Sequence, residues 1–165
     1  MRLPLLILLL TLMSLWDRLW SAQSDLFVGN WRFVPEESRL SETTPKDITY
    51  KLKFVLENGQ LREELASALQ SKSNGRGRVA GGILQFDGQE HPFEATGETK
   101  HSKHTILWKL IDDHTVEGRI NHDDGKEYST QRLVISPDGR KLTLTLLGQR
   151  SDGTESKTII TFVRQ

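Results

Sequence analysis

The sequence predicts an all-β protein, a single antiparallel up-and-down barrel of about nine or ten strands. Three observations carry this. Apolar and polar residues alternate with period two through most of the chain. Asp-Gly recurs four times between hydrophobic runs, and Asn58-Gly59 adds a fifth tight turn of the same kind. Even-numbered positions carry the apolar residue in run after run, so consecutive strands share one inner face: Tyr50, Leu52, Phe54; Ile106, Trp108, Leu110; Val116, Ile120; Leu142, Leu144, Leu146. Such a shared face is a barrel interior or a sandwich core. Closing an antiparallel meander removes its two edges, which favours the barrel.

The chain opens with a segment to be set aside from the fold. Arg2 gives a basic start, and Leu3 to Leu15 is apolar apart from Pro4, Thr11 and Ser14. That stretch suits the core of a signal peptide and is short for a bilayer span, the alternative being an uncleaved anchor. Ala22-Gln23-Ser24 places small residues where a signal peptidase needs them, so cleavage is expected after Ser24. Cleavage after Ala22 would put the bulky Trp20 in one of those positions. Residues 1–24 are thus read as a signal peptide and 25–165 as the domain, exported to the periplasm or the medium. No cysteine occurs, which excludes lipidation at a lipobox, disulfides and thiolate metal sites.

Gly29 to Val34 reads as the first strand, followed by a polar loop from Pro35 to Asp47. Ile48 to Leu56 alternates apolar and polar, with Val55 the one exception, and ends at Asn58-Gly59. Leu61 to Gln70 (LREELASALQ) is ambiguous. Its residues are good helix formers at helical spacing, yet its place directly after an Asn-Gly turn favours a strand from Leu61 to about Ser67. A basic loop follows from Ser71 to Arg78. Further strands are expected over Val79–Phe86, His91–Thr96, Thr105–Leu110, Thr115–Ile120, Glu127–Ile135, Lys141–Leu147 and Lys157–Arg164. Most of them stop at turns rich in Asp and Gly.

Removing 24 residues from 165 leaves 141, the size of one ordinary domain. The leader holds two of the 22 basic residues and one of the 22 acids, so the domain is close to neutral with both signs mixed. Such a surface exerts no broad pull on nucleic acid or anionic membrane. No stable membrane insertion is expected once the leader is gone. Burial alone must hold the domain together, and about 140 residues suffice for that.

Phe27-Val28-Gly29-Asn30-Trp31-Arg32-Phe33-Val34-Pro35-Glu36-Glu37-Ser38 opens the domain, with a glycine two before a tryptophan. Later come Trp108-Lys109-Leu110-Ile111-Asp112-Asp113-His114-Thr115-Val116 and the run from Val134 to Leu146 through Pro137-Asp138-Gly139. With these the chain resembles the calycin superfamily, meaning lipocalins and fatty-acid-binding proteins, and most closely the uncharacterised secreted lipocalin-like proteins of bacteria. The likeness covers most of residues 25–165. It implies that Trp31, introduced by Gly29, plugs one end of the barrel beneath a basic residue of the last strand, a role that Arg164 matches. It also implies a small apolar or amphipathic ligand. One departure matters: fatty-acid-binding proteins hold the lipid carboxylate with an Arg-x-Tyr pair in the final strand. Here that strand reads Ile159-Ile160-Thr161-Phe162-Val163-Arg164, without the tyrosine.

No catalytic set stands out. Gly-x-Ser-x-Gly and cysteine are both lacking, so nucleophilic hydrolysis has no signature. Glycoside hydrolysis needs two inward carboxylates, and the acids read as turn residues or outward positions such as Glu117. Glycines 75, 77, 81 and 82 do not open a helix after a strand, so no phosphate cradle is implied. His101, His104, His114 and His122 lie among Asp112, Asp113, Asp123 and Asp124, but these acids occupy turn positions that suit Asp for local backbone bonding. They read as solvated turns, with no metal and no cofactor.

The function expected is therefore a binding protein and not an enzyme. Tyr50, Phe54, Trp108 and Tyr128 are the bulky inward candidates for lining a ligand cavity, three of them with a polar tip that can orient a ligand. Arg132 shares parity with Tyr128 and Val134. If that face points inward, Arg132 enters the barrel and meets a ligand anion; if Ser129, Gln131, Leu133 and Ile135 face in, Arg132 is on the surface. The alternative function is a filled barrel acting through its exterior as a protein-interaction or envelope structural module.

Overall fold

A computed structural model of the chain describes residues 25–42, 44–58, 60–69, 78–96, 104–121, 128–149 and 153–165. The proposed leader lies outside the described residues. Ten strands follow in chain order: β1 (Gly29–Phe33), β2 (Ile48–Glu57), β3 (Gln60–Leu69), β4 (Arg78–Leu84), β5 (His91–Thr96), β6 (His104–Asp112), β7 (Thr115–Asn121), β8 (Tyr128–Ile135), β9 (Lys141–Gln149) and β10 (Glu155–Arg164). Each pairs antiparallel with the next, and β1 also pairs with β10 through Trp31↔Arg164, Arg32↔Val163 and Phe33↔Phe162. The ring closes, with β5 and β6 joined over three residue pairs.

Turn chemistry sets the connections. Asn58, Gly88, Gly139 and Gly153 all have φ between 52° and 83°, the left-handed region that Asn and Gly tolerate. The polar loop after β1 does not drift into solvent. Val34 N–H donates to Thr161 O at 2.8 Å, Thr161 N–H donates to Ser38 Oγ at 2.9 Å, and Arg39 bridges to Ile159. The segment thereby continues the β1 edge along β10, with a short 3-10 turn at Pro35–Glu37.

Residues 60–69 settle the one ambiguous element. They form β3, paired with β2 in unbroken register from Ile48↔Leu69 to Glu57↔Gln60 and with β4 on the other side. Helix propensity is worth only tenths of a kcal/mol per residue, and a strand with two partners outweighs it. The strand runs two residues past its expected end at Ser67.

Inner-face parity follows the sequence closely. Leu52, Phe54, Ile106, Trp108, Val116, Ile120, Leu142 and Leu144 all point inward and are buried. Leu110 departs from this and is exposed although it pairs with the buried Val116; the β6–β7 register shifts just after it, between Leu110 and Asp112. In β8 the inward set is Gln131, Leu133 and Ile135, while Arg132 and Val134 are exposed.

Candidate functional site

The two ends of the barrel differ. At one end Trp31 is buried, with Nε1 donating to Phe27 O at 2.9 Å. The Arg164 guanidinium lies over the indole, its Cζ 4.4 Å from the ring centre. Arg164 Nε donates to Gly139 O at 2.8 Å, Nη1 to Val28 O at 2.7 Å, and Nη2 to Leu26 O. Its charge is thus fixed on three carbonyls and faces no ligand. Gly29 is required beneath it: φ is +139°, and a Cβ there would stand 3.3 Å from Nη1. Phe54 packs edge-on against Phe27, ring centres 5.7 Å apart, and so belongs to this floor.

Above the floor the interior falls into two tiers. Leu133, Ile135, Leu142, Leu144, Ile160 and Phe162 are completely buried. Toward the far rim the inward positions carry smaller side chains and are only half-buried: Ser67 and Ala80 on one wall, Ser129, Ser156 and Thr158 on the other, with Tyr50, Leu65 and Leu146 below them. Tyr50 packs edge-on against Phe33, ring centres 5.2 Å apart, and its burial pushes the hydroxyl above its ordinary range. Side chains beside Trp31 are fully buried, whereas toward the other rim half-buried small residues stand beside the buried Ile106 and Ile120.

Between the tiers stands a polar pair. Glu63 is 2% exposed and points inward from β3, opposite Phe54 on β2 and Gly82 on β4. Gln131, also buried, reaches it from β8, with Nε2 donating to Glu63 Oε2 at 2.7 Å. Glu63 Oε1 has no hydrogen-bond partner among the described residues, and the same holds for Nε1 of Trp108, which is 1% exposed. Burial raises the Glu63 carboxyl to about 7, and the bond from Gln131 only partly offsets this.

The backbone around this pair is shaped for it. A Cβ on Gly81 would lie 2.0 Å from the Glu63 carbonyl oxygen, so only glycine lets β4 approach there. On the other wall Trp108, Gly118 and Gln131 are register partners across β6, β7 and β8. A Cβ on Gly118 would meet Trp108 Cε3 and Cζ3 at 2.9 Å, so the indole lies over Gly118, toward Gln131.

Of the residues singled out in the sequence, Trp31, Arg164 and Gly29 come together as the plug. Tyr50, Phe54 and Trp108 face the interior, at three different depths. The side chain of Tyr128 lies outside the described residues; its backbone pairs with Asn121. Arg132 is corrected: it faces outward, 3.6 Å from Glu117 Oε2, and cannot reach a ligand in the barrel. The reading of all acids as outward or turn residues is corrected too, at Glu63. Leu61, Leu65 and Leu69 share its parity, and that was the available signal.

Turn acids behave as local caps. Asp87 is bonded to His91 Nε2 and accepts from Gln89 N–H, Asp112 accepts from His114 N–H, and Asp138 accepts from Ser136 Oγ and Arg140 N–H, bonds that hold each carboxyl below the ordinary range. Among the described residues no three His, Asp or Glu side chains are grouped to hold a metal. His101, His122, Asp123 and Asp124 lie outside the described residues.

Ten antiparallel strands closed into a barrel and plugged at one end match the architecture of lipocalin-type and calycin-type barrels. Among solved structures, a mutant of the fluorescent protein UnaG matches with a TM-score of 0.51 at 15% identity, over 86% of this chain and 97% of its own. The Schistosoma mansoni fatty acid binding protein, in complex with arachidonic acid, matches with a TM-score of 0.50 at 13% identity, over 85% of this chain and 96% of its own. At such identities the likeness is one of fold. No protein-family model and no curated protein matches the chain.

Proposed function

We propose that this protein is an exported carrier that holds a small apolar or amphipathic molecule inside its barrel. The observation that carries this is the two-tier interior, fully buried beside Trp31 and carrying small, half-buried side chains toward the other rim. A barrel needing only stability has reason to fill that tier with Leu and Ile, since each buried methylene adds about 0.8 kcal/mol. The solved fatty acid binding protein of the same fold holds arachidonic acid, which supports a lipid-sized occupant. Export rests on the reading of residues 1–24 as a leader, with the periplasm or the medium as destination. Among the described residues Glu63 is the one buried carboxylate, short of the pair that glycoside hydrolysis needs.

Titration with N-phenyl-1-naphthylamine, an uncharged probe that brightens in apolar surroundings, tests this. The mature protein should bind it with saturation. Trp108→Ala should change the affinity more than Lys109→Ala, because Trp108 lies in the interior and Lys109 faces solvent. Absence of saturable binding would favour a filled barrel that works through its outer surface.

A further inference from the structure

We infer that the barrel selects an amphipathic molecule whose polar end carries a hydrogen-bond donor, an amine or a hydroxyl, and discriminates against a carboxylate. The inference rests on the carrier reading above and names the chemistry of its ligand. The recognition point is Glu63, held from across the barrel by Gln131, with Trp108 on the same register line two strands away, across Gly118. Gln131 occupies Oε2 and leaves Oε1 without a partner among the described residues. Buried polar atoms in folded proteins are normally satisfied, and an open one in an interior with half-buried small residues toward one rim is where a ligand group fits.

Two of the buried atoms without a hydrogen-bond partner matter here, an acceptor, Glu63 Oε1, and a donor, Trp108 Nε1–H. A hydroxyl can answer either, giving its proton to Oε1 or accepting from the indole N–H. An ammonium answers the carboxylate with charge. A carboxylate brings a second negative charge to a buried first one, and like charges in low dielectric repel strongly. Neither nearby arginine supplies a compensating cation, since Arg132 faces out and Arg164 is fixed on three carbonyls; His104, which shares the inward parity of Ile106 and Trp108, stands at the first position of β6. The elevated carboxyl of Glu63 agrees with this, since it is a group that gains from a donor partner when it ionises.

Displacement of N-phenyl-1-naphthylamine by decylamine, decanol and decanoate at pH 8 decides the matter. The amine and the alcohol should displace the probe at concentrations about tenfold lower than decanoate. Glu63→Gln keeps the side-chain shape and removes the charge, and should bring the three within about threefold of one another. Trp108→Phe keeps a ring and deletes the N–H; it should weaken decanol several-fold, which keeps the test open should Glu63→Gln not fold. Decanoate displacing as well as or better than the others would overturn the inference while the carrier reading stands. Failure of all three against a bound probe, or an unchanged ranking in folded Glu63→Gln, would overturn it likewise. A protein that binds no probe loses the carrier reading and this inference with it.

Discussion

Glu63 and Gln131 meet in the middle of the barrel, from β3 and β8, which stand five places apart in a ring of ten strands. The bond joins opposite walls of the barrel. A carboxylate in such a place is costly unless something answers it. The consequences reach both stability and binding.

Stability should fall as pH rises through the titration of Glu63. Its carboxyl is raised from 4.5 to about 7 in the folded protein. Between those values the folded state binds more protons than the unfolded state, so raising the pH favours unfolding. The full effect is about 3 kcal/mol, from about 1.4 kcal/mol per pH unit. Phe54 and Gly82, its register partners on the neighbouring strands, carry no charge to modify it. Urea unfolding at several pH values, wild type against Glu63→Gln, should show the variant gaining on the wild type from pH 4.5 to pH 7.5. Parallel curves would mean that Glu63 is not buried.

Trp31→Ala should cost about 3–5 kcal/mol, the usual figure for a large buried aromatic. The indole is enclosed by the floor and capped by Arg164, whose carbonyl bonds depend on the ring beneath it. Denaturant unfolding measures this. A loss below about 1 kcal/mol would place Trp31 on the surface.

Gly118→Ala should destabilise by about 1–3 kcal/mol through overpacking. Its methyl would come within 2.7 Å of Ile106 Cδ1 and 2.9 Å of the Trp108 ring. Near-ultraviolet circular dichroism should show the indole displaced along with the loss. Gly139→Ala makes a useful contrast, since a methyl there meets nothing and the cost comes from positive φ alone.

Export should yield a chain beginning at Asp25. N-terminal sequencing of the exported protein checks it, and a start at Met1 or Arg2 would remove the leader from the account.

The strand order and the plug were legible because they rest on local signals. Period-two alternation, Asp-Gly turns and the Gly29–Trp31 spacing each specify a backbone state within a few residues. Glu63 was hidden by its own segment: in LREELASALQ the helix-forming composition competes with the strand pattern, and an acid between Arg62 and Glu64 looks solvated. Only the shared parity with Leu61, Leu65 and Leu69 marks it as inward. Arg132 was undecidable for a different reason. Leu133, Val134 and Ile135 are all apolar, so either face of β8 fits a buried wall, and pairing with β7 and β9 decides. The bond between Glu63 and Gln131 spans 68 positions and depends on closure of the ring, which no local pattern specifies.

The indole N–H resonances of nitrogen-15-labelled mature protein report most directly on the central claim, that the interior holds a ligand at the polar pair. Trp31 Nε1–H is already bonded to Phe27 O, whereas Trp108 Nε1–H is buried without a partner among the described residues. On adding decanol, the Trp108 signal should move downfield as it gains an acceptor, while that of Trp31 stays in place. A Trp108 signal that stays fixed at saturating decanol, or moves only together with Trp31, would contradict the account.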